Sequence, residues 1–155
     1  MGLFFKKSAT ALYAPATGQL KSIAAVKDTV FSSQALGDGY AVEPSDGAIY
    51  APIEGTVTSV FPTKHAIGLK TKQGIEVLLH LGIDTVELNG NGFTMHVSEG
   101  SQVTPTTKLV DMDLNYLADQ KKVTDVIVIF TNLNKQKLSY TTGAAQAGAE
   151  VGHLA

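Results

Sequence analysis

Two of the chain's four histidines stand where paired imidazoles could do chemistry. His65 and His80 lie in the stretch TKHAIGLKTKQGIEVLLHLGIDTVE, from Thr63 to Glu87. Each sits on an apolar run of period two, and the polar group Thr71-Lys72-Gln73-Gly74 separates the runs, which is a hairpin signal. The spacing predicts a two-residue loop at Lys72-Gln73, with Thr71 opposite Gly74 and His65 opposite His80. The imidazoles would then be cross-strand neighbours, with Cβ atoms about 4.5–5.5 Å apart. A three-residue loop ending at Gly74 would shift the register by one and part the rings, unless a bulge intervened.

Facing histidines have three readings from residue type alone. Each ring can be an ordinary hydrogen-bonded member of a half-buried sheet. The pair can be two ligands of a zinc site, which needs three or four donors; there is no cysteine, and Asp84 lies four residues beyond His80. Or one imidazole can attack phosphorus while the other steadies the phosphate. That role needs a neutral ring with a bare attacking nitrogen and its second N–H held by an acceptor. Spacing alone does not separate the last two.

The runs FPTKHAIGL and EVLLHLGIDTVELNGNGF resemble the active-site region of the IIA domain of the glucose family of the bacterial phosphoenolpyruvate-dependent sugar phosphotransferase system. VFSSQALGDGYAVEPSDGAIYAPIEGTV before them and VSEGSQVTPTTKLVDMDL after them resemble the same family in the same order, so the likeness runs from about Tyr13 to the C-terminus. It implies that His80 accepts a phosphoryl group through Nε2 and that His65 hydrogen-bonds that phosphate. Thr63 would orient the His65 ring, and the Gly82 carbonyl would take the Nδ1–H of His80. The donor implied is the phosphohistidine of the carrier protein HPr, and the acceptor is a cysteine of a IIB domain that phosphorylates a sugar during uptake. Asp38 and Asp84 would form an acidic rim facing a basic partner. Val42, Phe61, Leu78 and Val86 would line a shallow apolar depression of the kind that marks protein-interaction surfaces.

Composition agrees with such a carrier. A chain of 155 residues makes one domain able to bury about 70% of its unfolded surface. The net charge of −2 leaves no electrostatic footprint for nucleic acid. Every basic residue is lysine, so no guanidinium fork is available for phosphate. The absence of cysteine excludes disulfides and thiolate metal sites and fits a reducing cytoplasm. No phosphate-binding glycine loop is present, and no cofactor is required. The metal expected at His65 and His80, if any, is zinc bound adventitiously or across an interface.

The first residues, MGLFFKK, have apolar side chains ahead of lysines, the wrong order for a signal peptide. Residues 1–12 are expected to be a flexible segment, with Leu3, Phe4, Phe5, Lys6 and Lys7 offering at most a weak membrane contact. Residues 13–155 then form the domain. Within it YAPATGQLKSI from Tyr13 is echoed by YAPIEGTVTSV from Tyr50, a duplicated motif inside one unit. Closely spaced turn signals with short strands between them predict an all-β sandwich or barrel of antiparallel strands, with at most short helical turns. Val126 to Phe130, VIVIF, reads as a buried core strand, and Asp113 to Asp119 as a helical turn or two. Glu150 to Leu154 reads as a final edge strand. His96 and His153 read as structural or surface residues.

Two rival functions remain open on the residues. H-L-G-I-D from His80 to Asp84 matches the H-x-x-x-D of lysostaphin-type zinc endopeptidases, but the H-x-H those enzymes need is absent. A regulatory module that binds transporters or metabolic enzymes in its unphosphorylated state would use the same apolar patch as a phosphocarrier.

Overall fold

The computed structural model describes residues 9–155. Three antiparallel sheets make a sandwich. The strands are β1 (Thr10–Tyr13), β2 (Gly18–Ser22), β3 (Asp38–Pro44), β4 (Ala48–Tyr50), β5 (Gly55–Val60), β6 (Ala66–Lys70) and β7 (Glu76–Leu81). They continue as β8 (Phe93–Met95), β9 (Gln102–Val103), β10 (Lys108–Met112), β11 (Val126–Asn132), β12 (Leu138–Tyr140), β13 (Gly143–Ala145) and β14 (Glu150–Leu154). The large sheet runs β13-β2-β3-β11-β7-β6-β5-β9, and two small sheets run β1-β14-β12 and β4-β10-β8. Among the described residues, helix is confined to α1 (Thr29–Ser32), α2 (Leu114–Asp119) and two single turns at Ile23–Ala25 and Thr85–Leu88.

The apolar run VIVIF explains the layering. A strand buried on both faces reads as a continuous hydrophobic run, and β11 lies mid-sheet between β3 and β7. Val126, Val128 and Phe130 point into the main core beneath the small sheets. Ile127 and Ile129 point the other way, into a second cluster with Ile23, Val26, Phe31, Ala41 and Ile83. Among the described residues, the 23–32 segment and the loop after β7 cover this second face.

The echoed motifs build two interleaved halves. Tyr13 N–H donates to the Pro52 carbonyl (2.9 Å) and Tyr50 N–H to the Pro15 carbonyl (2.7 Å). The strand pairings repeat in the same sense: β1-β14-β12 matches β4-β10-β8, and β13-β2-β3-β11 matches β9-β5-β6-β7. An approximate two-fold axis therefore passes between β7 and β11.

Three expectations are corrected. The β6–β7 loop has three residues, Lys72-Gln73-Gly74: Thr71 N–H donates to the Ile75 carbonyl (2.9 Å) and Gly74 takes a φ of 87°. A glycine in the left-handed region at the third loop position is what such hairpins favour. Ala66, not His65, thus faces His80. The final strand β14 is the middle of its sheet, between β1 and β12, because β1 supplies a second partner. Of the segment 1–12, residues 1–8, which include the apolar and lysine cluster, lie outside the described residues, while Thr10–Leu12 belong to β1 and Leu12 is fully buried. Alternation at Leu12 draws this stretch into the core, so the domain begins before Tyr13.

Candidate active site

Despite the shifted register, the two histidines meet. Their ring centroids are 5.2 Å apart and the planes stand at 77°. Strict alternation would have put His65 on the far face, but β6 starts only at Ala66. The turn before it, with Lys64 N–H on the Phe61 carbonyl (2.7 Å) and Lys64 at a φ of 60°, swings the chain so that His65 turns back toward His80. The His65 carbonyl still accepts the Leu81 N–H (2.8 Å), which ties the turn to β7.

Each ring is held at Nδ1. His80 Nδ1 lies 2.7 Å from the Gly82 carbonyl. A carbonyl only accepts, so Nδ1 carries the proton and the neutral ring leaves Nε2 bare. His65 Nδ1 lies 2.5 Å from the Thr63 hydroxyl. With that hydroxyl donating, the proton of neutral His65 sits on Nε2, free to donate elsewhere. With the Thr63 hydroxyl as donor, the two imidazoles present opposite tautomers, one an acceptor and the other a donor.

Surroundings keep both rings neutral. Phe31 packs on His80 (centroids 4.9 Å) and Phe61 meets His65 edge-on (5.4 Å). Burial lowers the pKa of His65 below its ordinary value. Burial also lowers that of His80, aided by the charge of His65 and opposed by the Gly82 bond and the Asp28 and Asp84 charges. Asp28, Val30, Phe31, Asp84, Thr85 and Val86 line a depression of about 200 Å³ beside His80. A larger groove of about 760 Å³, between β1 and the tip of the β6–β7 hairpin, holds no histidine or carboxylate cluster. Among the described residues, no three or more His, Cys, Asp or Glu side chains gather in a way that could hold a metal ion.

The sequence-derived set divides clearly. His65, His80, Thr63, Gly82, Asp84, Phe61 and Val86 come together, and Leu78 stands on the His80 face packed against the second cluster. Val42 does not: it is fully buried in the main core, because alternation along β3 gives the His80 face to Ala41. Asp38 does not either. It faces Phe130, three positions along β11 from the Ile127 that faces His80, and its carboxylate accepts the Gly39 N–H (2.7 Å). Gly18 and its echo Gly55 abut the carbonyls of Glu43 and Lys70. Asp38, five residues before Glu43, is therefore the counterpart of His65, five before Lys70, at the opposite end of the two-fold. The acid that joins Asp84 beside His80 is Asp28. It caps α1 through a bond from Val30 N–H (2.9 Å), and Val30 is 49% exposed at the rim. Aspartate just before an apolar helical start was the only signal of it in the chain.

The comparisons agree with this fold. The family model described as phosphoenolpyruvate-dependent sugar phosphotransferase system, EIIA 1, matches residues 10–136. The glucose-specific EIICBA component of a phosphotransferase system from Streptococcus pneumoniae is 47% identical over 128 residues, 83% of this chain. This chain spans 18% of that relative's length. The solved structure of glucose permease IIA from Mycoplasma capricolum superposes with a TM-score of 0.90 at 37% identity, covering 97% of this chain and 99% of that one. The protein belongs to the EIIA 1 family of the phosphoenolpyruvate-dependent sugar phosphotransferase system.

Proposed function

We propose that His80 is the phosphoryl acceptor and His65 its partner in transfer. The observation that carries this reading is the two rings 5.2 Å apart, each held at Nδ1, His80 by the Gly82 carbonyl and His65 by the Thr63 hydroxyl. Nε2 of His80 attacks the phosphorus of an incoming phosphohistidine. The new N–P bond forms as the donor's N–P bond breaks; the donor ring, protonated on its other nitrogen, leaves as neutral imidazole, and phosphorylated His80 keeps its Nδ1 proton against the Gly82 carbonyl. Nε2–H of His65 donates to a phosphoryl oxygen. A phosphohistidine donor is already activated, so the work is positioning and charge stabilisation. HPr supplies the group and a IIB-domain cysteine removes it, in the cytoplasm, during sugar uptake. Glucose is the sugar named in both relatives. No cofactor is needed. Two imidazoles would leave half of a tetrahedral zinc shell to be filled from outside the chain.

The partner surface is the apolar rim Val30, Phe61, Leu78 and Val86, with Asp28 and Asp84 as its charges. Exposed Val30 and Val86, each 49% accessible, suit a protein partner better than a small molecule. The test is incubation with phosphoenolpyruvate and the general phosphotransferase proteins, followed by mass analysis. One acid-labile, base-stable phosphoryl group should appear, on His80. No adduct, or an adduct on His65, would reject the reading.

A further inference from the structure

Lys21 in β2 faces Ala41 in β3, which faces Ile127 in β11, which faces His80 in β7. Facing residues share a side of the sheet, so these four form one row on the active face. Asp125, just before β11, is the only carboxylate in the buried set of the described residues, at 4% exposure. Lys21 Nζ stands 2.9 Å from its Oδ2, a charge contact and not an aligned hydrogen bond. Glu43, the other acid near Lys21, is 3.8 Å away and exposed.

Asp125 is also one bond removed from the catalytic ring's support. Its carbonyl accepts the Gly82 N–H (2.7 Å), and the Val123 carbonyl accepts the Ile83 N–H (3.0 Å). Gly82, at a φ of 79°, in turn accepts from His80 Nδ1 (2.7 Å). We infer that the Lys21–Asp125 ion pair is a positioning device for His80, holding the Asp125 carbonyl against Gly82 and so fixing the acceptor that sets the ring's tautomer. This rests on the reading of His80 as the phosphoryl acceptor.

The physics gives the device a distinctive signature. Removing one partner of a buried pair leaves an uncompensated charge, which is far worse than replacing both. In Lys21→Met the Asp125 carboxylate has no cation in reach. It escapes toward water and pulls its own carbonyl off Gly82. In the double variant Lys21→Met/Asp125→Asn no charge remains, and the segment stays seated.

The test compares these two variants with the parent by ¹⁵N NMR of the imidazoles and by single-turnover phosphoryl uptake, with circular dichroism confirming the fold. Lys21→Met should lose the pure Nδ1–H form of His80 and slow uptake about tenfold to a hundredfold at saturating donor, the scale of a misplaced reacting group. The donor concentration at half-maximal rate should hold. The double variant should return to within about twofold of the parent. If Lys21→Met fails to fold, Lys21→Arg, which keeps the charge, must preserve the tautomer. A parental tautomer and rate in Lys21→Met overturns the inference. So does a double variant as slow as the single, which would mean that the lysine charge acts on the phosphoryl group itself. A parent protein that takes up no phosphate would reject the reading of His80, while the tautomer comparison would still decide the positioning claim.

Discussion

The carbonyl of Gly82 stands 2.7 Å from Nδ1 of His80, two residues back along the same chain. That contact depends on a backbone conformation which a side chain opposes. Gly82 has a φ of 79°, and a Cβ there would lie 2.6 Å from Thr85 Cγ2 and 3.0 Å from the Val123 carbonyl. Gly82→Ala should therefore swing the carbonyl away from Nδ1. Single-turnover uptake should fall about 10²-fold, the cost of misplacing a reacting group, with a lowered Tm. Unchanged uptake in a folded Gly82→Ala protein would show that the carbonyl is not needed.

The histidines should be unequal. His80→Gln removes the nucleophile and should accept no phosphate. His65→Gln keeps it and retains an N–H donor, so it should still be phosphorylated, while passing the group on about 10²–10³ more slowly. Quench-flow with the IIB acceptor measures the second step. Equal loss in both variants would instead indicate a shared metal site.

Asp28 and Asp84 both border the depression beside His80. Replacing both with Asn should slow association with a basic donor, most at low ionic strength, where charge steering is unscreened. The rate measured against salt should flatten. The Asp38→Asn variant serves as the control and should keep the parental salt dependence.

Burial lowers the pKa of both histidines, and Asp28 and Asp84 oppose the fall at His80. Uptake needs neutral His80, so it should persist as pH drops past the ordinary histidine value of about 6.5 and fail only lower. In the Asp28→Asn/Asp84→Asn variant the failure should move further to acid. Stability carries the matching sign. The unfolded chain binds protons first, so unfolding free energy should decline as pH falls from about 6.5 through the folded values. Urea titrations across that window, with His65→Gln and His80→Gln as comparisons, would show the slope.

Tyr40 is fully buried and donates its hydroxyl to the Tyr13 carbonyl (2.9 Å), and burial raises its pKa far beyond the usual phenol range. Tyr40→Phe leaves that carbonyl without its donor and should cost about 1–2 kcal/mol. Tm should drop while phosphoryl uptake is retained. A loss of uptake at constant Tm would contradict this division between core and site.

The legible parts of the chain were those with local chemistry. VIVIF announced β11 by its unbroken hydrophobicity, the spacing of Leu114 and Leu117 announced α2, and the echo of Tyr13 in Tyr50 announced the paired halves. The histidine partnership was legible too, although by a route that the register did not support. Local patterns do not carry what depends on distant packing. Asp28 and Asp38 are both acids near glycine-rich or helical turns, yet packing seats Asp28 beside His80 at the start of α1 while Asp38 pairs with Phe130, three positions along β11 from Ile127. Val42 and Ala41 differ by one position, and alternation sends one to the core and the other to the His80 face. Strand pairing, not residue type, makes those assignments.

Thr10 faces Leu154 across the β1–β14 pair, so the first and last strands lie side by side. The 760 Å³ groove joins Ala9–Ala11 to the Lys70–Gln73 tip of the β6–β7 hairpin, while His65 precedes the other end of β6. Five strand residues separate those ends, about 16 Å at the usual rise. A polypeptide tether leaving from the paired β1 and β14 strands would start near the hairpin tip, away from His65 and His80, and leave the histidines open. Covalent attachment to an acceptor domain would then raise the acceptor's effective concentration without blocking the donor, provided the linker is long enough to bring the acceptor round to the histidines. A linker too short for that turn would forfeit the advantage.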